Sequence, residues 1–240
     1  MTVEDKRAIA SLLDLAEDVL RDGHRSAREE RDYGDDSASA LPDSLERIAA
    51  EVASCAACPL AATRKRAVSG EGAQKPLVMV IGEGPGADED SSGRPFVGKA
   101  GQLLDKMLSS VGLTREKNCF IANLVKCRPP NNRDPSPEEV AACAPFLERQ
   151  RKLLEPKVIL TVGRVPTQAL LATNEGIGRL RGAFVEYSGV PLLPTYHPSA
   201  LLRDESLKRP AWEDLKTLRS RLMELDESYG RDSSGGNEES

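Results

Sequence analysis

Aromatic residues and histidine are scarce in this chain of 240 residues, which has four Phe, four Tyr, one Trp and two His. Long apolar runs are missing as well, since none approaches the roughly 20 residues that a membrane-spanning helix needs. Residues 1–7 also lack the apolar core of a secretory signal peptide. We therefore expect a cytoplasmic protein that has no membrane partner.

Cysteine is also infrequent, and its spacing is informative. In a reducing compartment, five Cys favour metal binding or free thiols over disulfides. Cys55 and Cys58 form a C-x2-C pair, Cys127 follows after 68 residues, and Cys143 follows after 15 more. Four thiolates suit either tetrahedral zinc or a [4Fe–4S] cluster, and the spacing does not separate the two. In the alternative interpretation, Cys143 is a small apolar residue buried on a helix. Cys119 is the fifth cysteine, outside the set of four, and is expected to face the core.

Charge is unevenly distributed along the chain. The whole chain carries a net charge of −5, residues 1–43 carry −6 and residues 226–240 carry −4, so that the stretch 44–225 carries +5. A mildly basic body between two acidic ends permits contacts with phosphate groups.

The composition divides the chain into three parts. Residues 1–42 form an acidic N-terminal extension, with an amphipathic helix over 3–20 followed by a disordered linker. That helix either docks on a partner protein or packs back on the body. Residues 43–226 form the folded domain, and residues 227–240 form a disordered acidic tail.

Strands and helices alternate through the body. Four apolar runs have the length of buried strands: Leu77–Ile81, Cys119–Val125, Val158–Val162 and Leu192–Tyr196. Helical patterns lie between and after them, over residues 98–111, 136–154, 165–172 and 210–225. A small hairpin is expected over 182–192. This order predicts an α/β fold of three layers, α/β/α, around a central, mostly parallel four-stranded sheet.

The first strand runs directly into a glycine-rich loop. Gly82, Gly84 and Gly86 allow backbone N–H groups to approach a flat or anionic ligand closely. Phe96 follows in a loop-like segment and is a candidate stacking surface, because so few rings lie outside the periodic core pattern. The alternative is a nucleotide-phosphate loop, or a turn with a core phenylalanine.

Polar residues also follow the other three strands. The second strand leads to Asn123 and the segment 126–130, the third to Gly163 and Arg164, and the fourth to the segment 197–199. The carboxyl ends of parallel strands meet at one edge of the sheet, which is where open α/β sheets bind ligands. We therefore expect a ligand site at this edge, with His197 in it.

Four motifs in this order resemble those of the family 4, or iron–sulfur, uracil-DNA glycosylases. They are Gly-Glu-Gly-Pro-Gly at 82–86, Gly-Arg-Pro-Phe-Val-Gly-Lys-Ala-Gly at 93–101, Asn-Leu-Val-Lys-Cys-Arg-Pro-Pro at 123–130 and His-Pro-Ser at 197–199. The cysteine spacing is similar too, and the resemblance covers about residues 50–225. It implies a monomeric base excision repair enzyme that removes uracil from single- or double-stranded DNA, with a [4Fe–4S] cluster on the four spaced cysteines.

The resemblance also implies how the base is held once the nucleotide has flipped out of the helix. Phe96 stacks on the uracil face, and the Asn123 amide reads the base edge. His197 and the N–H groups of the loop at Gly82 and Gly84 stabilise the negative charge that develops near uracil O2.

Two carboxylates complete the catalytic set that the resemblance implies, Glu83 and Glu89. Glu83 orients water, stabilises the cationic sugar or braces the loop. The chain departs here from the family 1 enzymes, since Gly84 stands where they place a water-activating Asp. Gly86 stands where they place the Tyr that excludes thymine, so the means of excluding thymine is open.

DNA contacts are implied for Ser199, Leu201, Arg203, Lys126 and Arg128. Leu201 would be the wedge that fills the space left by the flipped base, and Arg203 would contact a phosphate. In the alternative, Leu201 or its neighbour belongs to the core of a short helix.

Two functions from other classes fit the same residues. One is a nucleic-acid-binding module that kept the pocket and lost its activity, and the other is an iron–sulfur redox sensor. A uracil-release assay separates the enzyme from both.

Overall fold

The computed structural model describes residues 43–229. The predicted helix over 3–20, its protein partner, the linker up to residue 42 and the tail from residue 230 lie outside the described residues. Among residues 43–229, no helix is both long and apolar enough to cross a membrane.

A six-stranded sheet forms the centre of the described domain, in the order β1-β3-β2-β4-β6-β5. The strands are β1 (Glu71–Gly72), β2 (Val78–Gly82), β3 (Cys119–Asn123), β4 (Val158–Val162), β5 (Val185–Tyr187) and β6 (Val190–Thr195). The four middle strands are parallel, and the short strands β1 and β5 pair antiparallel at the two edges. The predicted parallel core of four strands is therefore extended by two edge strands, of which β5 belongs to the expected hairpin.

Helices cover both faces of the sheet. They are α1 (Leu45–Ser54), α2 (Ala87–Ser92), α3 (Lys99–Ser109), α4 (Pro137–Leu154), α5 (Arg164–Leu171), α6 (Ile177–Leu180), α7 (Pro198–Arg203) and α8 (Lys208–Leu225). Alternate strand residues pack against α3, α7 and α8 on one face, and against α4 on the other. Strands buried on both faces read as continuous apolar runs, which is why these strands could be located from the sequence. The three-layer α/β/α fold class is confirmed.

The element boundaries differ from the predicted ones for local reasons. β3 ends at Asn123 and not at Val125. The N–H of Leu124 donates to the carbonyl of Gly82, where β2 ends, at 2.9 Å, and that of Val125 donates to the carbonyl of Glu83 in the loop beyond, at 3.1 Å. Helix α2 is not among the predicted helices. It starts after Gly86, whose backbone N–H donates to Glu89 Oε2 at 3.1 Å.

The folded domain extends three residues beyond the predicted boundary at 226. Asp226 accepts from Lys157 at 2.8 Å, and the Tyr229 hydroxyl donates to the carbonyl of Val111. The Tyr229 ring packs against the core, so residues 227–229 belong to the domain and not to a disordered tail.

Candidate active site

A cleft of about 580 Å³ lies at the carboxyl ends of the four parallel strands. Its walls come from the loop after β2, the segment 96–100, the end of β3 and the loops after β4 and β6. All four polar strand ends predicted from the sequence therefore contribute to one site.

The wall of the cleft is built around the missing side chain of Gly82. A Cβ atom there would lie 2.5 Å from the Phe96 ring and 2.5 Å from Asn123 Oδ1. Only glycine lets the ring and the amide approach the end of β2 so closely. The candidate stacking group and the candidate base-reading group are therefore neighbours.

Asn123 carries an unsatisfied hydrogen-bond acceptor. The residue is only 2 % exposed. Among residues 43–229, its Oδ1 is the one buried side-chain oxygen or nitrogen atom that has no hydrogen-bond partner. Leaving a buried acceptor unpaired costs about 1–3 kcal/mol. A ligand N–H would satisfy this oxygen.

His197 begins helix α7 and faces Phe96 across the cleft, with 5.8 Å between the ring centroids. The backbone N–H of Ser199 donates to Nδ1 at 3.1 Å, so the proton of the neutral ring lies on Nε2. Burial, with a smaller contribution from positively charged Arg203, lowers the pKa of His197 to about 4. The ring is thus a neutral hydrogen-bond donor at physiological pH.

Glu83 lines the cleft as a half-buried carboxyl group. Burial raises the pKa of Glu83 to about 7; nearby Asp134 also raises it, and Arg164 opposes the shift. Arg164 and Asp134 form an ion pair at 2.5 Å, and both line the same cleft. A carboxyl group that titrates near neutral pH in a cleft is suited to acid–base or electrostatic work.

Glu89 also lines the cleft, but its two oxygens accept three backbone hydrogen bonds. Oε2 accepts from Gly86 at 3.1 Å, and Oε1 accepts from Val97 at 2.9 Å and from Gly98 at 3.0 Å. Because these donors occupy the carboxylate, Glu89 ties the loop after β2 to the segment that carries Phe96.

The prediction that Lys126 contacts DNA is wrong. Its side chain is 1 % exposed, and Nζ donates to the Asn123 carbonyl at 3.0 Å and to Gln150 Oε1 at 2.7 Å. Burial lowers the pKa of Lys126 to about 8. The residue supports the end of β3 from the side away from the cleft.

The assignment of Leu201 as the DNA wedge is also wrong. Leu201 is 2 % exposed and packs in the core with residues of α3 and α8, whereas Leu202 is 50 % exposed. The sequence could not separate two adjacent leucines on a six-residue helix. Burial of one of the pair had been the alternative interpretation.

The remaining residues predicted to contact DNA lie at or near the mouth of the cleft. Ser199 and Arg203 line it, and the Ser199 Oγ lies 2.8 Å from His197 Nδ1. Arg128 donates from Nε to Asn132 Oδ1 at 2.8 Å, and Asn132 lines the cleft.

The four spaced cysteines line a separate small recess, which Arg64, Lys126 and several apolar side chains also line. Arg64 donates to Cys127 Sγ at 3.1 Å, and the backbone N–H of Lys126 donates to Cys143 Sγ at 3.3 Å. N–H donors to sulfur are the groups by which proteins tune iron–sulfur clusters, so the residues present fit such a group. Within residues 43–229, no three His, Cys, Asp or Glu side chains are grouped so as to hold a single metal ion.

Several residues that shape the cleft carry no local sequence signal. Asp134 pairs with Arg164, which the sequence had placed at this edge of the sheet, and Arg115 donates to the Phe96 backbone. Asp134 and Arg115 lie in no recognisable motif for these roles, so only the contacts between distant segments identify them.

Comparison with known proteins matches residues 69–216 to the Uracil DNA glycosylase superfamily. The type-4 uracil-DNA glycosylase of Saccharolobus solfataricus is 45% identical over 189 residues, which cover 75% of this chain and 87% of that protein. The type-4 enzyme of Sulfurisphaera tokodaii is 44% identical, over 74% of this chain and 84% of its own length. That of Thermotoga maritima is 42% identical, over 73% of this chain and 93% of its own length.

The state of the His197 ring can be tested by nitrogen-15 NMR of the histidine side chains. We expect a neutral ring protonated on Nε2 down to a pH of about 4, because burial opposes the charged form. A His24→Gln variant assigns the two rings. Ser199→Ala is the control: the ring should keep the same tautomer in this variant, because the backbone N–H that donates to Nδ1 is still present. Titration of His197 near pH 6.5, the usual value, would contradict the expectation of a neutral, buried ring.

Proposed function

The chain belongs to the uracil-DNA glycosylase superfamily and, within it, to the type-4 enzymes, and from this premise we propose that it removes uracil from DNA. The reaction flips the uracil nucleotide into the cleft and hydrolyses the bond between C1′ of the sugar and N1 of the base. The products are free uracil and an abasic site. Such a reaction serves base excision repair.

The unpartnered Oδ1 of Asn123 is the observation that carries this proposal. The amide oxygen accepts from uracil N3–H, while the amide nitrogen donates to uracil O4. Cytosine presents an unprotonated N3 and an amino group, so the same amide meets two wrong partners. Each wrong pairing in a buried site costs about 1–3 kcal/mol, which favours uracil.

Phe96 and His197 hold the base and its developing charge. The Phe96 ring forms the floor on which uracil stacks. As the bond to the sugar breaks, uracil becomes an anion with charge near O2. The Nε2–H of His197 and the N–H groups of the loop at Gly82 and Gly84 stabilise that charge without a prior proton transfer.

Glu83 acts as a carboxylate on the sugar side of the reaction. Among residues 43–229 no hydrogen bond occupies its side chain, in contrast to Glu89. An ionised Glu83 orients the attacking water or stabilises the cationic sugar. Glu89 serves as a positioning residue, because its oxygens are engaged by the backbone.

The surface around the cleft would bind the DNA. Arg203 and Arg128 contact phosphates, and Ser199 lies between Arg203 and His197. Leu202 replaces Leu201 as the wedge, because it is the exposed leucine of α7.

The uracil-release assay tests this function on an oligonucleotide that contains one uracil. We expect the unaltered protein to release uracil, and Asn123→Ala to lower kcat/KM by about 10²-fold or more through loss of two buried hydrogen bonds. Asn174→Ala is the control, because it removes an exposed amide away from the cleft, and its kcat/KM should stay within about threefold of the unaltered protein's. No release by the unaltered protein would overturn the proposal.

The pH profile tests the role of Glu83. Its pKa near 7 predicts that kcat/KM rises about tenfold per pH unit below 7 and levels off above it, because the ionised form acts. Asp134→Asn removes a neighbouring negative charge, so the rise should move to lower pH. Glu83→Gln should lower the plateau and abolish the rise. A rise that stays in place in Asp134→Asn, or persists in Glu83→Gln, would assign it to another group.

We also propose that Cys55, Cys58, Cys127 and Cys143 hold a [4Fe–4S] cluster. The N–H groups that donate to Cys127 Sγ and Cys143 Sγ are of the kind that surrounds the thiolates of such a cluster, which supports this proposal. A bound cluster would supply a covalent link between the segment 55–58 and the segments around Cys127 and Cys143. The hydrolysis itself transfers no electron.

Metal analysis tests the cluster. We expect about four irons and four sulfides per chain with visible thiolate–iron absorbance, and loss of both in Cys143→Ser. Cys119→Ala is the matched control, because Cys119 lies within the sheet core. Stoichiometric zinc without iron, or full iron content in Cys143→Ser, would contradict the assignment.

A further inference from the structure

Phe96 has an unusual backbone for a residue whose ring must be accurately placed. Its φ is +53°, in the left-handed region, and it lies outside any helix or strand. A non-glycine residue in this region is strained by about 1–3 kcal/mol and persists only where its surroundings hold it. The contacts that hold Phe96 therefore determine where its ring lies.

Arg115 supplies those contacts from behind the cleft. It lies between α3 and β3 and is 9 % exposed. Nη2 donates to the Phe96 carbonyl at 3.0 Å, and Nη1 donates to the Pro95 carbonyl at 3.0 Å. The Arg115 guanidinium thus donates hydrogen bonds to two successive carbonyls of the strained segment.

Two carboxylates hold the guanidinium in this orientation. Nη1 donates to Glu71 Oε1 at 2.5 Å, while Nε and Nη2 donate to Asp105 Oδ1 at 3.1 and 2.7 Å. Together with the two carbonyls, these bonds use all five N–H groups of Arg115. The planar fork leaves Arg115 little freedom, and it cannot move without losing several bonds at once.

Gly101 of α3 also contacts the Phe96 carbonyl. A Cβ atom at Gly101 would lie 1.9 Å from the Phe96 carbonyl oxygen and 2.0 Å from its carbon. Helix α3 therefore packs directly on the Phe96 carbonyl to which Arg115 donates. The close contact with the helix and the hydrogen bond from Arg115 together restrict the position of this carbonyl.

We propose that Arg115 is a positioning residue for uracil excision, which sets the Phe96 ring at the height and tilt that stacking on the flipped base requires. This inference rests on the function proposed above. Arg115 touches neither base nor sugar, and it acts only through Phe96.

Arg115→Lys tests the inference, because lysine keeps the charge but cannot bond both carbonyls and both carboxylates. We expect a loss in kcat/KM for uracil release of about 30- to 100-fold, the size that misplacement by about 1 Å produces. Affinity for undamaged DNA should not change, because Phe96 is engaged only after the base has flipped. Thermal unfolding establishes that the variant is folded at the assay temperature.

Two further variants guard against a merely structural effect. Arg94→Ala is the matched control, since Arg94, whose side chain is 61 % exposed, pairs with the same Glu71 but donates to neither carbonyl. Its kcat/KM should stay within about twofold of the wild-type value. Asp105→Asn weakens the orientation of Arg115 from a half-exposed position and should cost about three- to tenfold. If Arg115→Lys does not fold, Asp105→Asn decides the question.

A double-mutant cycle with Phe96→Leu distinguishes an effect of Arg115 through Phe96 from a general effect on the structure. If Arg115 acts through Phe96, adding Arg115→Lys to Phe96→Leu costs less than about threefold. The inference is overturned if a folded Arg115→Lys variant keeps the wild-type kcat/KM, or if the losses in the double variant multiply. Uracil release by the unaltered protein would still support the function in either case. No release by the unaltered protein would instead overturn the function.

Discussion

The parallel pairing of β2 with β3 is the constraint on which the site depends. The register pairs Gly82 directly with Asn123, so the residue without a side chain at the end of β2 lies beside the asparagine at the end of β3. A shift of one residue would turn the amide to the other face of the sheet, because side chains alternate along a strand. The Phe96 ring fits into the gap that Gly82 leaves at this same strand end.

Charged side chains hold the backbone segments that form the cleft. Lys126 bonds the carbonyl of Asn123, Arg115 bonds that of Phe96, and Glu89 accepts the N–H groups of the two loops that meet at the cleft. Each of these charged groups satisfies backbone atoms, so the cleft itself keeps free groups for a ligand. These free groups are the Asn123 amide, the Nε2–H of His197 and the Glu83 carboxyl. Preorganisation of this kind lets hydrogen-bond donors act on developing charge without first reorganising.

The fold and the place of the site could be predicted because their causes are local. The middle strands are apolar on both faces, the helix at Ser136 starts with a capping box, and a glycine-rich loop follows β2 at the cleft. The direction of single side chains could not be predicted in this way. Leu201 and Leu202 are identical in type and adjacent, and Lys126 lies in a basic segment that would suit DNA, yet packing against distant helices buries Leu201 and Lys126.

The sequence by itself determined the order of the four parallel strands and of the longer helices α3, α4, α5 and α8, the edge of the sheet where polar residues gather and the motifs that mark the family. The tertiary structure alone decided which polar groups face the cleft and which turn inward to hold it. The reason is that such groups are oriented by partners far along the chain, as Arg115 is by Glu71, 44 residues away, and Lys126 by Gln150, 24 residues away. Those partners meet only once the sheet and its covering helices are in place.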